Sequence, residues 1–335
     1  MPDATICGMK TPEVIIVGAG MAGLACARTL DAAGIEVRLL ESTDRVGGRL
    51  GSETRNDVCC DLGFQVSMDN YAALEDLVPR SLVPRRSFVP GAIVWDGKRQ
   101  TRIVDPKHSP GSVLPLLVSG LVRPRDLIAS IRCRRWSSRA LPPRFEGATA
   151  SDVITAAGFG DRFVECFLRP FFGGVFLDET LQVDAGRFLR TLARFASGRA
   201  ELPDGGMQRL AEAMADPIRS RIEFSRCVET LTPDPGIACS DGARFTGQAV
   251  VLAGPIDRSL DLLGREHSKV EWSSTRAFHF RADTAVLEEP LIVLNGSGGG
   301  RLNLLCSPTA VADGYAAHGQ HVIVASCRPC RGGAP

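Results

Sequence analysis

The sequence lacks the features that would place it outside ordinary globular proteins. A membrane-spanning helix needs about 20 apolar residues, and the most apolar segment, Val113–Val122, is interrupted by Pro115, Ser119 and Gly120. Neither sign of charge dominates, because Lys+Arg 39 against Asp+Glu 38 leave a net charge of +1. This balance argues against a nucleic-acid partner. The N-terminus lacks the charged and apolar regions of a secretory signal, so we expect a cytoplasmic chain whose 11 cysteines are mostly free thiols.

Side chains that would carry catalysis are also scarce. Lys10, Lys98, Lys107 and Lys269 are the only lysines, and the 5 histidines show no metal-ligand spacing with the cysteines. A G-x-S-x-G nucleophile motif is absent, which argues against a serine hydrolase. The sequence therefore predicts no metal site, and it identifies no catalytic acid, base or nucleophile.

A strand, a helix and a second strand are predicted near the N-terminus. Glu13–Val17 is a short β-branched run typical of a buried parallel strand. Leu24–Leu30 has helical propensity and is followed by Gly34, a C-terminal capping glycine, and Ile35–Leu40 has the pattern of the second strand. Between the first strand and the helix, six residues fit G-x-G-x-x-G: Gly18, Ala19, Gly20, Met21, Ala22 and Gly23.

This glycine motif predicts a dinucleotide-binding site. Its first glycine makes a tight turn, its second lets the backbone approach a pyrophosphate, and its third lets the helix pack closely on the strand. The helix N-terminus offers unpaired N–H groups to the phosphates. Glu41 ends the second strand 18 residues after Gly23 and, with neighbouring Ser42, is placed to bind ribose hydroxyls.

A second glycine pair follows shortly. In Arg45-Val46-Gly47-Gly48-Arg49, the glycines permit another close backbone approach, and the Arg45 and Arg49 guanidinium groups can pair with phosphate. The βαβ unit alone does not distinguish NAD from FAD, so an NAD-dependent dehydrogenase stays an alternative at this point.

The order of strand, G-x-G-x-x-G, strand, Glu and G-G-R resembles the superfamily of flavin-dependent amine oxidases, phytoene desaturases and protoporphyrinogen oxidases. Two further segments, Arg169–Phe176 and Leu202–Met207, resemble motifs of its bacterial desaturase-like branch. Asp61–Val66 resembles the segment that passes beside the flavin in this family, and Ala249–Pro255 resembles the strand that returns to the FAD domain. The resemblance implies that FAD is the cofactor. It also implies that Gly63, Phe64 and Gln65 lie beside the flavin, that Val228 contacts the adenine, and that Gly254 follows the strand returning to the FAD domain.

The implied fold class is α/β, with a Rossmann-like FAD-binding domain and a discontinuous α+β substrate domain. We expect residues 12–70 and 203–255 in the FAD domain, residues 71–202 and 256–326 in the substrate domain, and an irregular tail at 327–335. Residues 71–199 are predicted to be mainly helical. The implied activity is oxidation of a C–N or C–C bond in a small, largely apolar substrate, with hydride transfer to the flavin.

Two further expectations concern the C-terminal residues and a basic internal segment. Nothing after Ser326 resembles the strand, Gly-Asp pair and helix with which the family completes its FAD site, so a truncated chain that is aggregation-prone, or a non-catalytic remnant, is the alternative to an active enzyme. The basic residues of segment 107–139 suggest a solvated helix face, with peripheral contact to an anionic membrane as the less favoured alternative.

Overall fold

The computed structural model describes residues 14–105, 111, 113–137 and 141–331. Parts of the predicted tail and of the basic segment, including Lys107 and Arg139, therefore lie outside the described residues. The strands are β1 Val14–Val17, β2 Val37–Leu40, β3 Ser52–Arg55, β4 Val58–Asp61, β5 Ser67–Met68, β6 Arg85–Ser87, β7 Gly91–Trp95, β8 Gln100–Val104, β9 Ala200–Pro203, β10 Ile222–Glu223, β11 Val228–Thr232, β12 Gly236–Cys239, β13 Arg244–Thr246, β14 Ala249–Leu252, β15 Ser273–Ser274, β16 Ala277–Ala282, β17 Ile292–Asn295, β18 Leu302–Cys306, β19 His321–Cys327 and β20 Cys330–Arg331. The α-helices are α1 Met21–Ala32, α2 Ala72–Leu77, α3 Val113–Val118, α4 Pro124–Ser137, α5 Ala150–Ala157, α6 Asp161–Phe163, α7 Arg169–Phe176, α8 Ala185–Ser197, α9 Gln208–Ala215 and α10 Ile256–Leu262.

The chain divides into two compact units, each built from three segments. The first unit contains Met1–Gly51, Ala73–Val83 and Met207–Val270, and the second contains Ser52–Ala72, Pro84–Gly206 and Glu271–Pro335. Residues 52–70, predicted with the FAD domain, fall in the second unit, and residues 256–270 fall in the first. These boundaries follow backbone packing, whereas the predicted boundaries concerned cofactor and substrate roles.

A four-stranded parallel sheet forms the centre of the first unit. Its strand order is β10-β2-β1-β14, with Val14 opposite both Val37 and Ala249. The side chains of Ile15 and Ile16 are fully buried because both faces of a parallel sheet are normally covered. On one face, Ile15 and Leu40 pack in a cluster with residues from the antiparallel sheet β11-β12-β13, namely Val228, Ile237 and Cys239.

Helix α1 connects β1 to β2 and ends as the sequence predicts. Gly34 has φ +77°, a conformation that a residue without Cβ adopts without strain. The Gly34 N–H donates to the Asp31 carbonyl at 2.9 Å, and the Ile35 N–H donates to the Leu30 carbonyl at 3.0 Å. This is the Schellman arrangement of paired hydrogen bonds that closes a helix at a glycine.

The second unit is built around a mixed six-stranded sheet of order β16-β19-β18-β17-β7-β8. Strands β17 and β18 form an antiparallel pair joined by the glycine-rich segment 296–300. Three smaller sheets accompany it: the β3-β4 hairpin, the three strands β5-β9-β6 and the pair β15-β20. The expectation that residues 71–199 are mainly helical is wrong for 85–104, where β6, β7 and β8 lie. Strands β6 and β7 pair with β9 and β17, which are distant in sequence, and β8 completes a hairpin with β7.

Segment 150–197, which contains α5 to α8, carries 8 of the 15 phenylalanines of the chain. Four phenylalanines spaced one helical turn apart, Phe159, Phe163, Phe167 and Phe171, stack along the chain with ring centroids 5.1–5.8 Å apart. A five-residue π-helix at Val164–Leu168 lies within this run. Phe195 of α8 meets the Phe171 ring edge-on at 5.0 Å and so joins α8 to the stack.

The tail is not wholly irregular, which corrects the sequence-based assignment for 327–335. Strand β19 extends to Cys327, and β20 pairs antiparallel with β15. Pairing here depends on a free strand edge at Ser273–Ser274, which the local sequence of the tail does not reveal. Residues 332–335 lie outside the described part of the chain.

Among the helices that the structure describes, none is long and apolar enough to cross a membrane. In the basic helix α4, two arginines donate to carbonyls at the ends of other helices: Arg132 to Ala157 at 3.0 Å and Arg134 to Ala196 at 3.4 Å. Ile128 and Ile131 of the same helix are exposed. The basic residues therefore serve packing within the second unit as well as lying at its surface.

Candidate functional site

The glycine motif lies at the turn from β1 into α1. Gly18 has φ +102°, and its N–H donates to the Leu40 carbonyl at 2.7 Å. A Cβ on Gly23 would lie 1.9 Å from the Gly18 carbonyl oxygen, so only glycine allows this approach of helix and strand. A Cβ on Gly20 would meet nothing within 4 Å. The protein itself therefore leaves space at Gly20, the N-cap residue of α1.

The Glu41 carboxylate fixes the glycine turn to the end of β2. It is buried, and its Oε2 accepts the Ala19 N–H at 2.8 Å. Its Oε1 accepts the Thr43 N–H at 3.0 Å and lies within 3.3 Å of the Ser42 and Thr43 hydroxyls. Two of these donors are backbone groups, whereas the hydroxyl donors can rotate away. A carboxylate has about four acceptor positions, so Glu41 can exchange hydroxyl partners for a ribose.

The Gly47–Gly48 pair lies directly on the glycine turn. Gly47 forms a parallel bridge with Gly20, and its N–H donates to the Ala19 carbonyl at 2.8 Å. Both Gly47 and Gly48 have positive φ, and a Cβ on Gly48 would lie 3.4 Å from the Gly20 Cα. Two backbone segments thus meet around Gly20.

Arg45 and Arg49 differ in their surroundings. The Arg45 guanidinium donates to the Gly48 carbonyl at 2.9 Å and to the Gln208 side chain at 3.3 Å. Gln208 in turn donates to the Val46 carbonyl at 3.0 Å. Arg45 is therefore used to shape the Gly47–Gly48 segment, a contact that the sequence does not reveal. Arg49 is exposed at the end of that segment.

The other predicted residues of the first unit lie at or near the same edge of the parallel sheet. Gly254 follows β14 and is exposed, and the N–H of the preceding Ala253 donates to the Val17 carbonyl at 2.9 Å. Met21 and Ala22 form the first turn of α1, which contains no acidic residue to compete with a phosphate. Val228 begins β11 with its side chain in the core, and the register shifts between Val228 and Thr230.

One segment at this edge was not predicted from the sequence. The Glu41 N–H donates to the Glu223 carbonyl at 2.9 Å, and the Arg226 N–H donates back to the Glu41 carbonyl at 2.8 Å. Ser225, between them, has φ +56°. The chain after β10 therefore continues alongside Glu41, a course that no local sequence pattern reveals.

The geometry of the first unit suits a bound dinucleotide. A helix of 12 residues begins without a side-chain cap, an open position lies at its N-cap, and a buried carboxylate ends the neighbouring strand. Backbone N–H groups at such a terminus suit phosphate. Within the described residues, no group of three or more His, Cys, Asp or Glu side chains could hold a metal ion.

The predicted flavin-side residues Gly63, Phe64 and Gln65 belong to the second unit. Phe64 meets the Phe88 ring edge-on at 6.3 Å, and the Gln65 amide donates to the Leu62 carbonyl at 3.3 Å. Just before them, the buried Asp61 carboxylate accepts the Tyr315 hydroxyl at 2.8 Å and the Ser52 hydroxyl at 2.5 Å. Tyr315 lies 254 residues from Asp61, so sequence reasoning could not have paired them.

Burial also sets the state of the groups around Asp61. Burial, reinforced by the charge of Asp61, raises the pKa of Tyr315 far above its ordinary value. Burial, then the charge of Asp61, raises the pKa of Cys59 to about 11. Burial lowers the pKa of His279. The tyrosine, thiol and imidazole are therefore neutral at pH 7, and the neutral Tyr315 hydroxyl donates to Asp61.

Comparison with known proteins decides the family. The sequence profile of the family described as "Flavin containing amine oxidoreductase" matches residues 21–327. The chain belongs to this family. Membership confirms the predicted superfamily and FAD as the cofactor.

Curated relatives of this flavin family match the chain in part. Putrescine oxidase of Kocuria rosea is 36% identical over 136 residues, which cover 38% of this chain and 27% of that protein. Coproporphyrinogen III oxidase of Propionibacterium freudenreichii subsp. freudenreichii is 25% identical over 78% of this chain and 59% of that protein. The chain thus spans less than two thirds of the length of these relatives.

Solved structures share the fold of this chain, although their sequence identity to it is low. A Pyrococcus furiosus protein superposes with a TM-score of 0.74 at 18% identity, covering 94% of this chain and 79% of that one. Putrescine oxidase bound to putrescine gives a TM-score of 0.67 at 18% identity, covering 95% and 76%. These likenesses confirm the predicted α/β fold class.

Proposed function

We propose that this chain is the catalytic part of a flavoenzyme that oxidises a C–N or C–C bond of a small, largely apolar molecule. The observation that carries the proposal is the meeting of the Gly18–Gly23 turn with the Gly47–Gly48 segment around the open position at Gly20. Family membership favours FAD over NAD, the alternative that the βαβ unit alone left open. Bound FAD supplies a hydride acceptor for such oxidations.

Each part of the first unit has a distinct task in the proposed site. The N–H groups at the start of α1 face the pyrophosphate, with Gly20 and Gly48 providing room for its approach. Glu41, with Ser42 beside it, accepts ribose hydroxyls while it holds the glycine turn in place. Arg45 shapes the Gly47–Gly48 segment, and Arg49 lies at its exposed end, where a guanidinium can reach phosphate.

The remaining proposed contacts are less specific. Val228, at the start of β11, offers backbone groups to the adenine. The β11–β12 pairing shifts register between Val228 and Thr230, which interrupts the regular backbone hydrogen bonding there. Gly254 offers an uncrowded backbone after β14. Gly63, Phe64 and Gln65 are proposed to line the flavin. Putrescine and coproporphyrinogen III, which appear in the names of two relatives, are the more polar alternatives to such an apolar substrate.

Titration of the purified protein with FAD and with NAD⁺ tests the proposal. We expect FAD to bind stoichiometrically, with quenched flavin fluorescence and a shifted visible absorption band, and NAD⁺ not to compete. Tight NAD⁺ binding with no response to FAD would support the dehydrogenase instead. Once FAD is bound, anaerobic bleaching of the visible band by amines, carotenoid precursors or porphyrinogens identifies the substrate class.

A further inference from the structure

A small pocket in the second unit has no role in the proposed flavin site. Its volume is about 190 Å³, and six residues line it: Met68, Tyr71, Arg190, Thr191, Arg194 and Phe195. Pockets for drug-sized ligands are about 300–1,000 Å³. The pocket therefore suits a small molecule or one end of a longer one.

Helix α8 supplies one wall of this pocket with two kinds of side chain. Residues four apart lie on the same face of a helix, so Arg190 is next to Arg194, and Thr191 is next to Phe195. The helix thus presents a cationic row beside a row that carries an aromatic ring. Phe195 is held in place by its edge-on contact with Phe171 at 5.0 Å.

The opposite wall, residues 68–71, is fixed to α8 through the backbone. The Asn70 side chain donates to the Arg194 carbonyl at 3.0 Å, and the Arg194 guanidinium donates to the Asn70 carbonyl at 3.0 Å. The Asp69 carboxylate accepts the Arg199 N–H at 2.7 Å, and the Tyr71 N–H donates to the Met68 carbonyl at 3.1 Å. These bonds give the pocket a preformed shape.

The two arginines leave positive charge at the rim. Both are exposed, and within the described residues neither forms an ion pair with a carboxylate. The Arg194 guanidinium spends one donor on Asn70, while a guanidinium has five N–H donors. Tyr71, Met68 and Phe195 provide apolar surface next to this charge.

We propose that this pocket binds a small organic anion, with its carboxylate or phosphate on Arg190 and Arg194 and its apolar body between Tyr71 and Phe195. Guanidinium groups pair with both kinds of anion through charge-assisted hydrogen bonds. Aromatic walls favour a ring or a short acyl chain. The site lies within the second unit, and its occupancy is independent of the proposed flavin chemistry.

Calorimetric titration of the whole chain with 4-phenylbutyrate tests the proposal, with the uncharged 4-phenylbutanamide and inorganic phosphate as comparison probes. We expect saturable binding of the carboxylate, with the amide weaker by about tenfold or more because it cannot accept charge-assisted hydrogen bonds. Phosphate alone should bind more weakly than the carboxylate, since it makes no contact with the aromatic wall.

Two variants of α8 make the matched comparison. Arg190→Ala should weaken 4-phenylbutyrate about tenfold or more, whereas Arg187→Ala, an exposed arginine of the same helix outside the pocket, should leave the affinity unchanged. Absence of saturable carboxylate binding would overturn the proposal. So would equal affinity for the amide, equal affinity for phosphate, or equal effects of the two variants. The comparison of probes uses the unaltered protein, so it holds even where a variant fails to fold.

Discussion

At the scale of single residues, Tyr315 and Asp61 show how burial determines chemistry. The Tyr315 side chain is buried, and its hydroxyl donates to a carboxylate that also accepts the Ser52 hydroxyl. Ionising the phenol would place a second negative charge beside Asp61 in a poorly hydrated place. The folded protein therefore holds Tyr315 in its neutral form.

This arrangement predicts a defined alkaline titration. The chain has 2 tyrosines, so in Tyr71→Phe only Tyr315 remains. Its folded pKa is raised above the ordinary value of about 10, so the unfolded state loses this proton first. Stability is unaffected by the group below about pH 10 and declines as pH rises above it. We expect near-ultraviolet tyrosinate absorption in Tyr71→Phe to appear only together with the loss of circular dichroism. Ionisation in the folded state would contradict the raised pKa.

Glu41 also stabilises the fold, in addition to its proposed role in binding ribose. In Glu41→Ala the buried Ala19 N–H loses its acceptor, and an unsatisfied buried group costs about 1–3 kcal/mol. We expect urea unfolding to show a loss of that size, measured without added cofactor.

Glu41→Gln is the matched control, because it keeps the size of the side chain and one acceptor oxygen. Its loss should be smaller than that of Glu41→Ala. Equal stability of the alanine variant and the unaltered chain would show that the Ala19 contact contributes nothing.

At the scale of elements, the capped helix α5 is specified by local sequence. Thr149 accepts the Asp152 N–H at 3.2 Å, and the Asp152 carboxylate accepts the Thr149 N–H at 2.8 Å. Gly158 closes the helix in the left-handed conformation. Both ends of this element therefore follow from residues within it.

Thr149→Ala should destabilise the second unit by about 0.5–2 kcal/mol, because an N-cap side chain is lost. Thermal or urea unfolding measures the change. Ser151→Ala, in the first turn of the same helix, should have a much smaller effect. Equal effects of the two substitutions would mean that general helix propensity, rather than the cap, sets the stability of α5.

Some strands whose pairing partners are distant in sequence were not predicted from the sequence. The first helix and its glycine cap follow from a contiguous stretch, and β1, β2 and β14 from short β-branched runs. In contrast, β6 carries two arginines and pairs with β9, more than 100 residues away in sequence. Strand β20 has no strand-like pattern and exists through pairing with β15. Such segments become strands because of their neighbours and not because of their composition.

At the scale of the molecule, the same distinction applies to the candidate site. The Gly18–Gly23 turn, Glu41 and Gly47–Gly48 lie within 31 residues, and each was identified from its local sequence pattern. The contact of Arg45 with Gln208 and the course of the chain after β10 beside Glu41 join segments about 160–185 residues apart. These partners could not be predicted because no local pattern encodes which distant segment packs there.

The central claim is that the space at Gly20 exists for a bound dinucleotide, and Gly20→Thr tests it most directly. Threonine is about as good an N-cap as glycine, and the added side chain meets no protein atom within 4 Å of its Cβ. Gly299→Thr is the matched control in the second unit, where a Cβ would meet only the Ser297 hydroxyl oxygen, at 3.9 Å. The measurement is FAD affinity by fluorescence quenching, with melting temperature recorded for each protein. The account predicts that both variants melt like the unaltered chain, that Gly299→Thr binds FAD normally, and that Gly20→Thr loses FAD binding. Unchanged FAD affinity in Gly20→Thr, or no FAD binding by any of the three proteins, would contradict it.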